Sequence, residues 1–453
     1  MLLLGNALHC QLDGKIRTKL DSYLSVQVER IGFSGVLLIA DEDKVLYQKA
    51  IGSSSFELKA PTKIDTKFKT ASITKSFTGM LLAIAESEGK IGLNDSLKTY
   101  FPDIEMHSDW ERITIKELVS HTSGIPHWKG YKDYWPIKSR VPLRDEQVLA
   151  DIFAMELIDN AGTTANYSSP GYFLLAKILE RAYMEPFGKL FKEKIAAPLG
   201  LEGSGIFDGT TIVSGMASGH HRLPNDSLIN APHRDMSTMK GGGNLYSNAN
   251  DLLKWNRSLM GQGPWEASLL EDYLTPFTKV TFPQNNNATY AMGQYVHPKT
   301  AARPMAYQTA GGTFGFSTIS VIYPEEKITL MVLANVSFLP VNEIWDDVEK
   351  IIFDRPFELP EIVKGSQLSK AELDRYTGTY VAENGMELEI GTSKAELYAK
   401  LGNNPPLKIV HNKDGLFKAV KLDIDLKFTS SGSGKVNGVI ADGRGQTHNF
   451  KKR

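Results

Sequence analysis

Ser72-Ile73-Thr74-Lys75 stands at the head of a run in which Phe77, Met80, Leu81, Leu82, Ile84 and Ala85 recur at helical spacing. A serine and a lysine three residues apart on a helix share one face, so the amine falls within reach of the hydroxyl. A serine hydroxyl becomes a useful nucleophile only beside a base. Lysine serves as that base when burial or nearby positive charge lowers its pKa. The pair predicts an acyl-transfer site at a helix N-terminus, where free N–H groups and the helix dipole favour developing negative charge. Gly89 supplies the stop of that helix. The same spacing occurs at Ser87/Lys90, at the helix end, and at Ser237/Lys240, in a loop-like stretch before Gly241-Gly242-Gly243. Read alone, Ser72 serves equally well as a helix cap.

Working outward, residues 16–31 predict a helix with Leu20, Leu24, Val28 and Ile31 on one face. A hairpin follows, with residues 35–40 and 44–47 flanking Asp41-Glu42-Asp43. Residues 90–270 read as helices and loops. Strands return at 317–323 and 327–334, and a last helix runs from 341 to about 353. This order predicts an α+β fold, an antiparallel sheet flanked by helices with an all-helical region inserted, the sheet being completed by both ends of the domain. Residues 1–13 are expected to be a leader or a disordered terminus, 14–355 the main domain and 356–368 a linker rich in Pro and Gly. Over 369–453 short alternating runs such as Met386-Glu387-Leu388-Glu389-Ile390 predict a small all-β domain, a barrel or a sandwich.

The bulk properties narrow the function. With 453 residues, 42% hydrophobic and 23% charged, the chain can bury a large core. A formal net charge of -1 gives no reason to expect a nucleic-acid partner. No stretch is long and apolar enough to predict a membrane span. The single cysteine, Cys10, excludes an intrachain disulfide framework. The apolar start, Met1 to Gln11, reads either as the tail of a secretory leader, implying a periplasmic or secreted protein, or as a disordered end. His220-His221 has no partners at metal-site spacing, so no metal or other cofactor is expected.

Two further segments carry chemistry. Asn166-Tyr167-Ser168-Ser169-Pro170-Gly171 is a tight loop before a helical run, and a tyrosine held there can exchange a proton with Ser72 or simply pack. Gln308 to Phe316, with Gly311-Gly312, precedes a strand. Its glycines permit close backbone approach and free N–H groups for an oxyanion, or they form a strand-entry turn.

Taken together these segments resemble the serine β-lactamase and penicillin-binding-protein superfamily, in its class C-like branch of esterases, D-aminopeptidases and carboxypeptidases. Ile113 to Pro126, Gly89 to Asp95 and Gly242-Gly243-Asn244-Leu245-Tyr246-Ser247 resemble further stretches of that family, so the likeness covers about residues 20–355. The resemblance implies Ser72 as nucleophile, Lys75 as its base partner, Tyr167 with Ser169 in the tyrosine element, and the N–H groups of Ser72 and Gly312 as oxyanion hole. It also implies substrate binding by Ser169, Thr309, Ala310 and Gly311, a structural turn for His121, and a lipocalin-like C-terminal module able to mediate oligomerisation. One position departs from the pattern. Where the family has K-T-G or H-x-G, this chain has Thr309-Ala310-Gly311, with no cation for a substrate carboxylate. The expectation is a serine hydrolase of small-molecule esters, amides or peptides. A D-amino-acid-specific peptidase, carboxypeptidase or β-lactamase is the alternative, and a non-catalytic scaffold is the alternative of another class. The aromatic residues Trp128, Tyr131, Tyr134 and Trp135 either line the cleft or pack on one another.

Overall fold

The computed structural model describes residues 14–453 other than 224–226, 283, 284, 286, 363, 364, 366, 367, 384, 394, 395, 403–405, 413–415, 421–423, 433, 444 and 445. The leader expected at 1–13, with Cys10, and part of the expected linker lie outside the described residues. The chain forms two compact units. One comprises Ser34–His221 and Asn230–Glu349, and the other Lys15–Phe33, Arg222–Ile229 and Lys350–Arg453.

In the first unit a seven-stranded antiparallel sheet runs in the order Thr289–Tyr290, Tyr295–His297, Ala306–Thr313, Phe316–Tyr323, Ile328–Ala334, Gly35–Asp41, Val45–Ile51. The two ends of the unit therefore meet in mid-sheet, with Gly35 opposite Ala334 and Asp41 opposite Ile328. The strands Gly35–Asp41, Phe316–Tyr323 and Ile328–Ala334 are buried along their whole length. Helices cover both faces, which is why these strands read as continuous apolar runs without alternation. The first hairpin turns where the Asp41 carboxylate accepts from the N–H groups of Asp43 (2.9 Å) and Lys44 (2.7 Å).

The helix Thr74–Ser87 is buried from Thr74 through Ala85. Phe77 stacks on Trp255 with ring centroids 4.0 Å apart. Gly79 is required because a Cβ there would stand 2.2 Å from the Met292 carbonyl oxygen. The helix stops as expected, with Gly89 left-handed at φ +67°.

Three expectations are corrected. Within 90–270 the chain also holds short strands: Gly205–Ile206 and Leu245–Ser247 join Phe68–Lys69 in a three-stranded sheet. Strands of two or three residues are too short to carry a readable alternation. Second, Gly311-Gly312 is not a turn before a strand but lies inside Ala306–Thr313, paired with Thr318 and Ser317. Third, the helix Gly14–Ile31 buries Leu20, Tyr23, Leu24, Gln27 and Ile31, while Val28 is 38% exposed. Its stripe is centred one residue away from the face that apolarity alone selects.

The second unit contains a closed antiparallel barrel of eight strands, from Gly378–Ala382 to Gln446–Lys452, sealed where Tyr380 pairs with Lys452. Its core is apolar and includes Tyr380, Ile390, Leu397, Phe417 and Phe450. The helix Lys370–Tyr376 begins with a capping box between Ser369 and Glu372 and contributes Leu373 to that core. Among the described residues no helix is long and apolar enough to cross a membrane.

The sheet grips the serine turn through Thr318, whose buried hydroxyl donates to the Thr70 carbonyl at 2.9 Å. Thr318→Val leaves that carbonyl with one partner fewer. We expect about 1–2 kcal/mol lower unfolding free energy, measured by urea titration at unchanged m-value; a loss within error shows that the bond does not support the turn.

Candidate active site

Ser72 lies in a 3-10 turn, Ala71–Ile73, immediately before its helix. Ala71 is buried and adopts φ +49°, a conformation that a non-glycine residue enters only under constraint. The constraint is visible: Thr70 N–H donates to Leu245 O (3.0 Å), Thr74 Oγ1 donates to Ala71 O (2.6 Å), and Leu245 N–H donates to Thr74 Oγ1 (2.9 Å). Ser72 is partly exposed at the tip of this turn.

Lys75 is 0% exposed. Its Nζ stands 2.6 Å from the Gly242 carbonyl oxygen, 3.1 Å from Ser169 Oγ and 3.3 Å from Ser72 Oγ. The rings of Tyr167 and Tyr172 lie 4.7 and 5.3 Å from it. No carboxylate among the described residues pairs with it. Burial, with the Arg234 charge adding to it, holds the amine well below the usual lysine range.

Tyr167 sits in the loop before the helix Ser169–Tyr183, which Ser168 caps by accepting from Gly171 N–H at 3.1 Å. Two histidines fix that loop. His121 Nδ1 accepts from Ser168 N–H (3.1 Å) and His127 Nδ1 accepts from Ser169 N–H (3.2 Å). His121 is buried, holds φ +61°, and packs its ring 4.4 Å from that of Tyr167. Burial raises the Tyr167 phenol above its usual range, and the nearby Ser72 side chain partly offsets that rise.

The strand Ala306–Thr313 passes directly beside Ser72. A Cβ on Gly311 would fall 2.1 Å from Thr70 O and 3.1 Å from Ser72 N. Thr313 faces Phe316 across a two-residue turn, and Gly312 faces Ser317. In such a hairpin the closing pair exchanges the hydrogen bonds and the next pair directs its N–H groups outward. The neighbouring strand Tyr295–His297 reaches only to Gln308, so the outward edge at Gly312 is open. Ala310, Gly311, Gly312 and Thr313 line a cavity of about 310 Å³ with Arg234 and Trp135.

The fold thus brings Ser72, Lys75, Tyr167 and Ser169 together and sets Gly311 and Gly312 alongside. Thr309 is buried opposite Ser320 and is not in the cavity wall. Ser169 faces Lys75 through its hydroxyl. Of the aromatic cluster, Trp128, Tyr131 and Tyr134 pack on one another, and Trp135 reaches the cavity. Sequence reasoning missed His127, the Gly242 carbonyl and Arg234. A backbone acceptor has no side-chain signature, and an arginine in a loop, beside His233 and Asp235, carries no motif.

This buried lysine between a strained serine turn and a tyrosine loop, on a helix-flanked antiparallel sheet, agrees with a family assignment. Residues 20–349 match the family described as Beta-lactamase, and the chain belongs to it. The whole chain is similar to Penicillin-binding protein 4* of Bacillus subtilis (strain 168), 23% identical over 434 residues, covering 91% of this chain and 94% of that protein. Among solved structures it is similar to the octameric penicillin-binding protein homologue from Pyrococcus abyssi, with TM-score 0.68, 21% identity and coverage of 97% and 99%. It is also similar to D-amino acid amidase from Ochrobactrum anthropi SV3, with TM-score 0.66, 21% identity and coverage of 75% and 99%. The first of these two likenesses extends over the barrel unit as well.

Gly311→Ala forces the strand away from the serine turn, whereas a Cβ on Gly312 meets open space. A displacement of about 1 Å at a reacting centre costs on the order of a hundredfold. We expect the rate of Ser72 labelling by a fluorophosphonate to fall by about that factor in Gly311→Ala and by less than about threefold in Gly312→Ala. Equal rates in the two variants contradict the close approach.

Proposed function

We propose that this protein is a serine hydrolase that cleaves an ester or a small amide or peptide through an acyl-enzyme on Ser72. The observation that carries the reading is the setting of Lys75. A deprotonated amine has two hydrogens and one lone pair. The hydrogens suit the Gly242 carbonyl and Ser169 Oγ, which leaves the lone pair for the Ser72 hydroxyl. Burial and the Arg234 charge favour this neutral form, while Tyr167 is held as a neutral phenol. Lys75 is therefore the proton acceptor and Tyr167 the relay.

In this reading Ser72 Oγ attacks the substrate carbonyl carbon and its proton passes to Lys75. The oxyanion rests on the N–H groups of Ser72 and Gly312. Tyr167 gives its proton to the departing oxygen or nitrogen and recovers one from Lys75. Water then adds to the acyl-enzyme by the same route in reverse, releasing the acid and restoring Ser72. The family membership and the amidase among similar structures support hydrolysis. A second reading, a peptidase acting on carboxylate-bearing peptides of the cell-wall type, is favoured by the buried guanidinium of Arg234 beside the Gly312 strand. We further propose that the protein self-associates through its barrel unit, a reading supported by the octameric assembly of the Pyrococcus abyssi homologue.

Intact mass after incubation with a fluorophosphonate tests the nucleophile. One adduct per chain is expected for the wild type, none for Ser72→Ala, and labelling slowed by at least about a hundredfold for Lys75→Met. A folded wild type without an adduct, or an adduct that persists in Ser72→Ala, overturns the reading. The pH profile tests the base. Removing a positive charge near Lys75 favours its protonated form and raises its pKa. Arg234→Met is thus expected to move the acid limb of kcat/KM towards higher pH; a limb that is unmoved or shifts lower contradicts Lys75 as acceptor.

A further inference from the structure

The tyrosine loop ends on the helix Ser169–Tyr183, whose first N–H groups have no acceptors inside the helix. The structure accounts for all of them. Ser168 N–H donates to His121 Nδ1 (3.1 Å), and Ser169 N–H donates to His127 Nδ1 (3.2 Å). Pro170 has no N–H, and Gly171 N–H donates to Ser168 Oγ (3.1 Å). A backbone N–H only donates. Both Nδ1 atoms therefore present a lone pair, and each ring carries its one proton on Nε2. Neither ring can serve in this way once it is charged, because an imidazolium has a hydrogen on both nitrogens.

The two rings differ in their access to protons. His121 is buried, and burial, with the charges of Lys75 and His127 adding to it, holds its pKa well below the usual histidine range. It stays neutral in mild acid. His127 is half-buried, at the entrance to the 3-10 turn Trp128–Gly130. Its ring lies 5.6 Å from that of Tyr167, edge to face, and 6.0 Å from that of Trp128. The titratable groups placed about it are Tyr167 from the tyrosine loop, His121 from the turn after the helix Ile115–Val119, and Lys75 from the helix Thr74–Ser87, the last reached through Ser169. A proton on His127 Nδ1 sets N–H against N–H. The bond to Ser169 is lost, and the new charge stands at the positive end of a helix, where cations are disfavoured. What His127 holds is close to the reacting groups. Ser169 Oγ is 3.1 Å from Lys75 Nζ, and Tyr167 stands two residues earlier in the same loop.

We infer that His127 is a positioning residue, which holds Tyr167 and Ser169 against Lys75 while its ring is neutral and releases them when the ring takes up a proton. The inference rests on the proposed function and deepens it, because it adds an acid-sensitive control to the same site. The control differs in sign from a plain charge effect. An imidazolium acting on Lys75 through space would favour the neutral amine and extend reactivity to lower pH. Release of the loop does the opposite. It makes the loss of reactivity in acid steeper than one titrating base allows.

The rate of Ser72 labelling by a fluorophosphonate, followed from about pH 9 down to about pH 5, tests this for the wild type, His127→Asn and His127→Leu. Asparagine carries an oxygen on the same γ carbon that carries Nδ1 in histidine; it accepts there and takes up no proton in this range. The wild-type plot of log rate against pH is expected to steepen towards a slope of about two, one proton for Lys75 and one for His127, while His127→Asn keeps a slope of about one. About one pH unit below the His127 midpoint, the wild type is then about tenfold slower than its Lys75 limb alone predicts. His127→Leu, with no acceptor, is expected to label at least about tenfold more slowly than His127→Asn at alkaline pH. Equal slopes in the wild type and His127→Asn, a wild-type limb flatter than that of the variant, or His127→Leu as fast as His127→Asn overturns the inference. A merely structural role would slow both variants alike at every pH. If His127→Asn does not melt cooperatively, NMR of wild-type protein isotope-labelled at its serine and histidine nitrogens decides. The Ser169 amide resonance, assigned by its loss in Ser169→Ala, is expected to shift in acid with the midpoint of the His127 ring, and an amide that does not follow the ring overturns the switch. That measurement needs no reaction, so failure of the acyl-enzyme reading shows separately, as a missing fluorophosphonate adduct at every pH.

Discussion

The burial of one amine organises the first unit. Lys75 Nζ is removed from water and given three oxygens but, among the described residues, no counter-ion, and every element that supplies an oxygen is itself held elsewhere. Gly242 O comes from the segment whose neighbour Gly241 has φ +66° and would crowd Tyr172 O and Ala176 Cβ if it carried a side chain. The Gly241 carbonyl in turn accepts from Thr78, one helical turn below Lys75. Ser169 Oγ comes from the first turn of the helix Ser169–Tyr183. A charged ammonium here faces a desolvation cost with no ion pair to offset it, so the neutral amine is the cheaper state. The packing that makes the core is thus the same packing that keeps this amine neutral.

Strain is placed where this arrangement needs it. Ala71 and His121, both buried, hold left-handed backbone conformations, each of which costs on the order of 1 kcal/mol or more. Ala71 turns the chain so that Ser72 stands at the helix entrance instead of continuing the strand Phe68–Lys69. His121 sets its ring against Tyr167 while its Nδ1 takes the Ser168 N–H. Such conformations persist only where surrounding contacts over-determine them. The hydrogen bonds among Thr70, Thr74 and Leu245 do this for the first, and the four-ring packing of His121, Tyr167, Tyr172 and Tyr290 does it for the second.

What the sequence discloses follows from the range of each interaction. Ser72 and Lys75 are legible because a helix makes three-residue spacing a contact. The central strands are legible because they are buried on both faces. The barrel is legible from alternation, and closure selects it over a sandwich. Gly312 is legible as a glycine but not as part of a strand, because its register is set by pairing with Ser317. The repeated Ser-x-x-Lys at Ser237/Lys240 shows the limit. Lys240 bridges Asp145 (2.5 Å) and Glu180 (3.1 Å), 95 and 60 residues away, and serves as an anchor two residues from the Gly242 carbonyl. The apolar helical run separates Ser72/Lys75 from it locally, but the part that Lys240 plays lies in the two distant acids that the fold brings to it.

Arg234 extends the same argument from structure to specificity. A cation on the Gly312 strand would sit in line with the reacting centre, as the family's usual third motif does. Here the strand carries Thr309-Ala310-Gly311 and the charge arrives from a loop, held by one hydroxyl of the strand, Thr313, and by aromatic rings. The loop that carries Arg234 also runs into Ser237–Met239 and so into Gly242, which holds Lys75. One guanidinium therefore bears on two properties. Its field adds to burial in favouring the neutral amine of Lys75, and in the second reading of function its charge meets the substrate carboxylate. A bound anion would weaken the field at Lys75 and raise the amine's proton affinity just as Ser72 gives up its proton. Under the proposed function, substrate binding and base strength are in this way coupled through a single buried charge.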